Sequence, residues 1–218
     1  FRMTTRVCHS KSVVELGRRT EVGIKEYHRN IPKFVATPAA CKRHHIELEE
    51  KLERLEEFSN QTDLNFTILN EGSKIGVITS GISFQYAKEV FAEQASYLKL
   101  GFTYPIPRAK IKTFAQQFDT LYVVEENDPY LETQIKAMGI QVIGKDSIPI
   151  TGELNPEILA VSLLGKKPDY LESEPDLVKG RPPTLCSGCP HRGLFFELSK
   201  RKDAVITGDI GCYTLGSA

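Results

Sequence analysis

The sequence has no surplus of charge of either sign: 28 Lys and Arg stand against 28 Asp and Glu in 218 residues. With no net positive field to draw a polyanion such as DNA, nucleic-acid binding is excluded as a leading reading. Long hydrophobic runs are also missing. The longest, residues 75–79 and 159–164, fall far short of the roughly 20 apolar residues that cross a bilayer, so no membrane span is predicted. The opening residues 1–7 lack the basic, apolar and small-residue regions of a signal peptide. Cysteine is sparse. Cys8, Cys41, Cys186, Cys189 and Cys212 are an odd number without the density of a secreted disulfide scaffold, which points to a reducing cytoplasm.

What is there is the make-up of an ordinary globular protein, 40% hydrophobic and 26% charged, long enough for one domain or two. Residues 17–45 are polar and basic with Pro32 and Pro38 as breakers, and read as a linker. In residues 46–58 the apolar positions Leu48, Leu52, Leu55 and Phe58 recur at spacings of four and three, which predicts an amphipathic helix with a solvated charged face. From residue 73 to residue 164 strands and helices alternate. Strands are predicted at residues 74–79, 98–103, 121–125 and 141–143. Helices are predicted after Ser80-Gly81, with Ile82, Tyr86, Val90 and Phe91 inward, and at residues 110–118 and 129–138. Such alternation implies an α/β fold with a small parallel sheet between helices.

A Pro- and charge-rich stretch, residues 166–183, has the composition of a domain linker. A helix to about Lys200 and a strand at residues 204–207 follow. That strand needs pairing partners elsewhere, and residues 1–7 read as the end of a strand entering a loop. The chain is therefore expected to be an internal piece of a longer protein.

The chemistry-bearing residues concentrate late in the chain. Cys186 and Cys189 flank a turn that Pro190 converts into a helix N-terminus, where thiolates are favoured by the helix dipole and suit a metal, a cluster or a redox pair. Cys212 lies in a second Gly-rich turn after a strand, and three thiolates at one sheet edge are three-quarters of a [4Fe-4S] site. The plainer alternative is an ordinary turn with Cys212 as a small buried residue. A zinc site lacks a fourth ligand at the usual spacing. Gly208-Asp209-Ile210-Gly211 is a turn whose N–H groups and carboxylate suit a phosphate and its cation. Thr79-Ser80-Gly81 is read as a strand-to-helix turn. Arg6 and His9 form a polar loop suited to a substrate carboxylate. Glu125 and Glu126 close a strand and are expected to be a solvated pair, and no chemistry is expected of His44 and His45.

Four blocks of sequence resemble the alpha (large) subunits of indolepyruvate ferredoxin oxidoreductases. Leu185-Cys186-Ser187-Gly188-Cys189-Pro190-His191-Arg192-Gly193 and Gly208-Asp209-Ile210-Gly211-Cys212-Tyr213-Thr214-Leu215-Gly216 are similar to the opening of that family's thiamine-diphosphate domain. Thr4-Thr5-Arg6-Val7-Cys8-His9-Ser10 resembles the segment closing its pyrimidine-binding domain, and Lys74-Ile75-Gly76-Val77-Ile78-Thr79-Ser80-Gly81 the first strand and turn of its transketolase C-terminal-like domain. The resemblance implies that residues 1–16 end a pyrimidine-binding domain and that 17–72 link it, through the amphipathic helix, to a transketolase C-terminal-like α/β domain at 73–164. A second linker at 165–184 and a truncated thiamine-diphosphate-binding domain at 185–218 follow.

The reaction so implied is the oxidative decarboxylation of aryl 2-oxo acids, with electrons passing through iron–sulfur clusters to ferredoxin and coenzyme A taking the acyl group. Thiamine diphosphate, Mg2+ and [4Fe-4S] clusters are the implied cofactors, and a smaller beta subunit the implied partner. Arg6 and His9 are then substrate-facing, Gly208, Asp209 and Gly211 cofactor-facing, and Cys186, Cys189 and Cys212 cluster ligands. The downstream magnesium and diphosphate motif, the pyrimidine-activating glutamate and the ferredoxin-like cysteines of the family are absent, so these residues alone are expected to be inactive. Two alternatives stay open: another 2-oxo acid specificity, and an independent Cys-based metal or redox module. A nucleotide-binding regulatory domain built on Thr79-Ser80-Gly81 or residues 208–211 is a third reading.

Overall fold

The computed structural model describes Cys8 and residues 11–166, 184–208 and 210–216. The chain forms two compact units, Phe1–Asp169 and Tyr170–Ala218, taken separately below. Among the described residues no helix is long and apolar enough to cross a membrane.

The first unit opens with two helices, α1 (Ile31–Phe34) and α2 (Pro38–Gln61), each begun by the prolines that the sequence reading took for breakers. Proline's fixed φ and missing N–H suit the first helical turn. Asn30 caps α1 by accepting from the Lys33 N–H, and Thr37 caps α2 by accepting from the Ala40 N–H. The amphipathic helix therefore extends upstream into the expected linker, and His44 and His45 lie within it.

Four strands follow: β1 (Asn65–Ile68), β2 (Ile75–Ser80), β3 (Ala95–Leu100) and β4 (Thr120–Val124). They form one sheet in the order β1-β3-β2-β4. β2 pairs in parallel with β3, Ile75 opposite Ala95, and with β4, Ile75 opposite Thr120. β1 runs antiparallel to β3, Asn65 opposite Leu100. The parallel α/β expectation thus holds, with an antiparallel edge added. The fourth predicted strand reduces to a parallel bridge between Ile143 and Tyr122.

Between the strands run α3 (Ser83–Phe91), a 3-10 turn (Ala92–Gln94), α4 (Arg108–Ala115), α5 (Tyr130–Lys136) and, last in this unit, α6 (Pro156–Leu164). The two-residue alternation of strand side chains divides the core. Val77, Tyr97 and Val124 face α3 and α6, packing with Phe84, Ala87, Phe91 and Leu159. Ile78, Leu98, Leu100 and Val123 face α4 and α5, packing with Ile111, Phe114, Leu131 and Ile135. On α3 the buried stripe is Phe84, Ala87 and Phe91 with Tyr86, while Ile82 and Val90 sit at its margin.

β2 connects through α3 to β3 on one side, and the chain then passes back through α4 to β4 on the other. The two crossovers diverge at the carboxyl end of β2, leaving a crevice between the ends of β2 and β4. In open α/β sheets such switch points are where ligands sit.

The second unit contains α7 (His191–Ser199) and α8 (Cys212–Gly216). Phe195 and Tyr213 pack between them, with ring centroids 5.4 Å apart. The strand predicted at residues 204–207 is not formed: that stretch has no ladder partner among the described residues, and a single extended segment cannot satisfy a strand's hydrogen bonds alone.

Candidate functional site

A cleft of about 560 Å³ in the first unit opens at the switch point. Its wall on the β2 side is the turn Ser80-Gly81-Ile82-Ser83, where Gly81 takes a left-handed φ of +57° to swing the strand into α3. Ile82 occupies the N-cap position of α3 and supplies no capping side chain. The N–H groups of Ser83 and Phe84 have no hydrogen-bond acceptor among the described residues, as is usual for a first helical turn that no side chain caps. Ser83 is nevertheless only 3% exposed.

The neighbouring wall is the end of β4, and here the structure corrects the expectation of a solvated glutamate pair. Glu125 is 3% exposed and accepts from the N–H groups of Leu131 at 2.9 Å and Glu132 at 3.0 Å. It caps α5 from five residues upstream, a role its own N-cap residue Pro129 does not fill. A carboxylate is the favoured group there, because both amides point at it and the helix dipole is positive at that end. Glu126 accepts from the Leu154 N–H at 2.9 Å and ties the strand end to the approach to α6. Lys145 Nζ donates to the Glu125 carbonyl at 2.6 Å.

Tyr104 and Tyr130 line the remaining side, and Tyr130 donates its hydroxyl to the Thr103 carbonyl at 3.1 Å. Burial first, then Tyr104 and Glu125 beside it, push the Tyr130 phenol above its ordinary range. Of this cleft, sequence reading identified the turn and the glutamates but not their convergence. Short strands ending in Ser-Gly and Glu-Glu were the available signal.

In the second unit, Cys186 and Cys189 share a turn closed by the Cys189 N–H donating to the Cys186 carbonyl at 3.1 Å, with Gly188 at φ +68°. Arg192 reaches back from α7, its Nη2 donating to the Leu185 carbonyl at 3.0 Å. Cys186 and Cys212 are exposed and Cys189 is intermediate, so Cys212 is not the small buried residue of the plainer alternative. Among the described residues no group of three or more His, Cys, Asp or Glu is arranged to hold a metal. The donor chemistry of three thiols suits an iron–sulfur cluster, but their described arrangement does not bring them together as ligands. Gly208 packs against Tyr213, where an added Cβ would meet the tyrosine Cβ at 3.0 Å. Gly211 adopts φ +110°. A pocket of about 380 Å³ lies beside Gly208, lined by Phe195, Ile206 and Tyr213 among others. Arg6, His9 and Asp209 lie outside the described residues.

No family model matches the chain. Proteins named indolepyruvate oxidoreductase subunit IorA do. The one from Methanothermobacter thermautotrophicus is 36% identical over 242 aligned positions, covering 99% of this chain and 39% of the relative. Those from Archaeoglobus fulgidus and Thermococcus kodakarensis are 36% and 32% identical, each over 99% of this chain and 38% of the relative. Among solved structures, the 2-oxoglutarate:ferredoxin oxidoreductase from Magnetococcus marinus matches 60% of this chain and 24% of its own, at 19% identity and a TM-score of 0.44. Along nearly its whole length, then, the chain is similar to the indolepyruvate oxidoreductase subunit IorA proteins, and it spans 38–39% of their length.

Proposed function

We propose that this chain serves in a 2-oxo acid:ferredoxin oxidoreductase that decarboxylates indolepyruvate and related aryl 2-oxo acids oxidatively, yielding an acyl-CoA and reduced ferredoxin. One observation carries the reading: 32–36% identity to six archaeal IorA proteins over 99% of this chain. Because the match spans 38–39% of those relatives, the reading assigns catalysis to a larger whole in which this stretch is one part. A smaller beta subunit, a cytoplasmic setting, and thiamine diphosphate with Mg2+ and iron–sulfur clusters belong to the same proposal. Thiamine diphosphate, when bound, supplies the electron sink for decarboxylation, and the protein's part is to orient it and exclude competing chemistry.

In this reading the transketolase C-terminal-like domain at residues 73–164 has a structural and interface role in the larger whole. Arg6 and His9 face the substrate carboxylate, and Gly208, Asp209 and Gly211 face the cofactor diphosphate and its cation. Cys186, Cys189 and Cys212 as cluster ligands require the three thiols to come closer than in the described arrangement.

The test is the native protein at its natural length, purified with its smaller subunit. Indolepyruvate should reduce an electron-accepting dye only when thiamine diphosphate and coenzyme A are present, and iron and acid-labile sulfide should fall in Cys186→Ser. Dye reduction independent of thiamine diphosphate sinks the enzyme reading. Unchanged iron in Cys186→Ser removes the cluster assignment alone.

A further inference from the structure

Two of the three late cysteines share one turn. Cys186 and Cys189 are its first and last residues: the Cys189 N–H donates to the Cys186 carbonyl at 3.1 Å, and Gly188 takes a left-handed φ of +68° while Ser187 does not. That is the backbone of a type II turn, whose third position requires φ above zero. Arg192, in the first turn of α7, reaches back to the start of the same turn. Its Nη2 donates to the Leu185 carbonyl at 3.0 Å and its Nε to the Cys186 carbonyl at 3.4 Å. The turn is thus fixed both by its own hydrogen bond and by the helix that follows it.

The spacing so fixed suits a disulfide. The ends of a β-turn lie within about 7 Å of each other, Cα to Cα, and a disulfide bridges Cα atoms about 4.4–6.8 Å apart. Both side chains are free thiols and neither is buried: Cys186 is exposed and Cys189 intermediate, so a small oxidant reaches them. Cys212 does not join them, since among the described residues no three His, Cys, Asp or Glu side chains gather as metal ligands. Two thiols alone can bond to each other, whereas a tetrahedral metal site needs two further donors.

We propose that Cys186 and Cys189 form a reversible thiol–disulfide pair, a modification site whose oxidant is a low-molecular-weight disulfide. The sulfur of Cys186, the more exposed of the two, attacks one sulfur of the oxidant. A mixed disulfide forms, the oxidant's S–S bond breaks, and its first half leaves as a thiol with the proton given up by Cys186. Cys189 then attacks the Cys186 sulfur, and the second half leaves as a thiol with the proton of Cys189. The two protein thiols have lost two protons and two electrons, and the oxidant has gained both. The second step is intramolecular within a preformed turn, which favours it over a further encounter with free oxidant. In the oxidised form neither sulfur ligates a metal, so this disulfide and a cluster on the same pair exclude one another. The pairing needs only the turn and its two thiols, and is independent of the activity proposed for the whole protein.

The test uses the full chain, freed of any bound metal by a chelator, reduced, and equilibrated with mixtures of reduced and oxidised glutathione. After an acid quench, mass spectrometry of proteolytic peptides gives the state of each cysteine. The peptide holding Cys186 and Cys189 should be lighter by two hydrogens, while Cys8, Cys41 and Cys212 remain thiols or carry glutathione. Closing the pair releases two reduced glutathione molecules for each oxidised one consumed. Diluting total glutathione about tenfold at a fixed ratio of its two forms should therefore raise the oxidised-to-reduced ratio of the pair about tenfold. A mixed adduct releases only one and does not respond. Cys189→Ser should leave Cys186 as a glutathione adduct and abolish the response to dilution. A pair that stays reduced in the most oxidising mixture overturns the proposal. So do glutathione adducts as the main oxidised form of the unmutated peptide, a ratio insensitive to dilution, or a disulfide joining either residue to Cys212.

Discussion

At the scale of single residues, the fold depends on a few polar side chains that sequence reading passed over. Asn65 is 1% exposed, and its amide accepts from the N–H groups of Gly101 at 2.9 Å and Phe102 at 2.8 Å. It also donates to the carbonyls of Ser59 at 2.8 Å and Phe102 at 3.0 Å. One side chain thereby fastens the end of α2 and the start of β1 to the end of β3. Asn65→Ala should cost about 3 kcal/mol of stability in urea denaturation, because several buried backbone groups lose their partner together. Tyr97 makes a pH-dependent contribution. Burial pushes its phenol up to about 12 from the ordinary 10.0, and its hydroxyl donates to the Ala92 carbonyl at 2.5 Å. Since the folded chain holds this proton more tightly than the unfolded one, its contribution is complete below about pH 10 and disappears as pH rises to about 12. Tyr97→Phe should flatten the fall of stability between those pH values, measured by denaturant titration at each pH. Of such residues, Glu125 was visible in the sequence as a strand-end carboxylate, but not as a buried cap. Its amide partners are six and seven residues downstream, and only the fold determines that α5 turns back toward the strand.

At the scale of elements, periodicity located β2, α3, β3, α4, β4 and α5 to within a few residues, because each presents a buried face of regular period. It missed two. α6 is apolar almost all round, so period carries no information there, yet its ends are spelled out: Asn155 caps it through the Ile158 N–H, Pro156 follows, and Gly165 closes it at φ +63°. β1 has four residues and pairs in the antiparallel sense at an edge, too short for alternation to register. The predicted strand at residues 141–143 keeps only a bridge, with the Val123 and Ile143 N–H groups donating at 2.9 Å each. The dependence of α5 on Glu125 gives a test at this scale. Glu125→Ala leaves the buried amides of Leu131 and Glu132 without an acceptor and should cost about 2 kcal/mol. Hydrogen exchange at those two amides should accelerate more than exchange in α4.

At the scale of the whole molecule, a β2-centred parallel sheet with diverging crossovers explains why a crevice forms where it does, and therefore why Ser83 and Glu125 share one cleft. That arrangement was legible as an alternation of strands and helices, but the order of strands was not, since nothing in a strand's own residues names its neighbour. The second unit was legible the other way round. Its motifs, from Cys186 through Gly216, identify kinship, while the described arrangement leaves its three thiols apart. Similarity to IorA proteins over 99% of the chain and 38–39% of their length is what supports the proposed function.

The most direct measurement is the substrate preference of the native protein with the proposed smaller subunit, as kcat/KM for dye reduction with indolepyruvate, 2-oxoglutarate and pyruvate. The proposed function predicts a preference for indolepyruvate of about tenfold or more, because the smaller acids lack the apolar surface of its indole ring. Preference for 2-oxoglutarate or pyruvate, or no turnover with any of the three, would contradict the assignment.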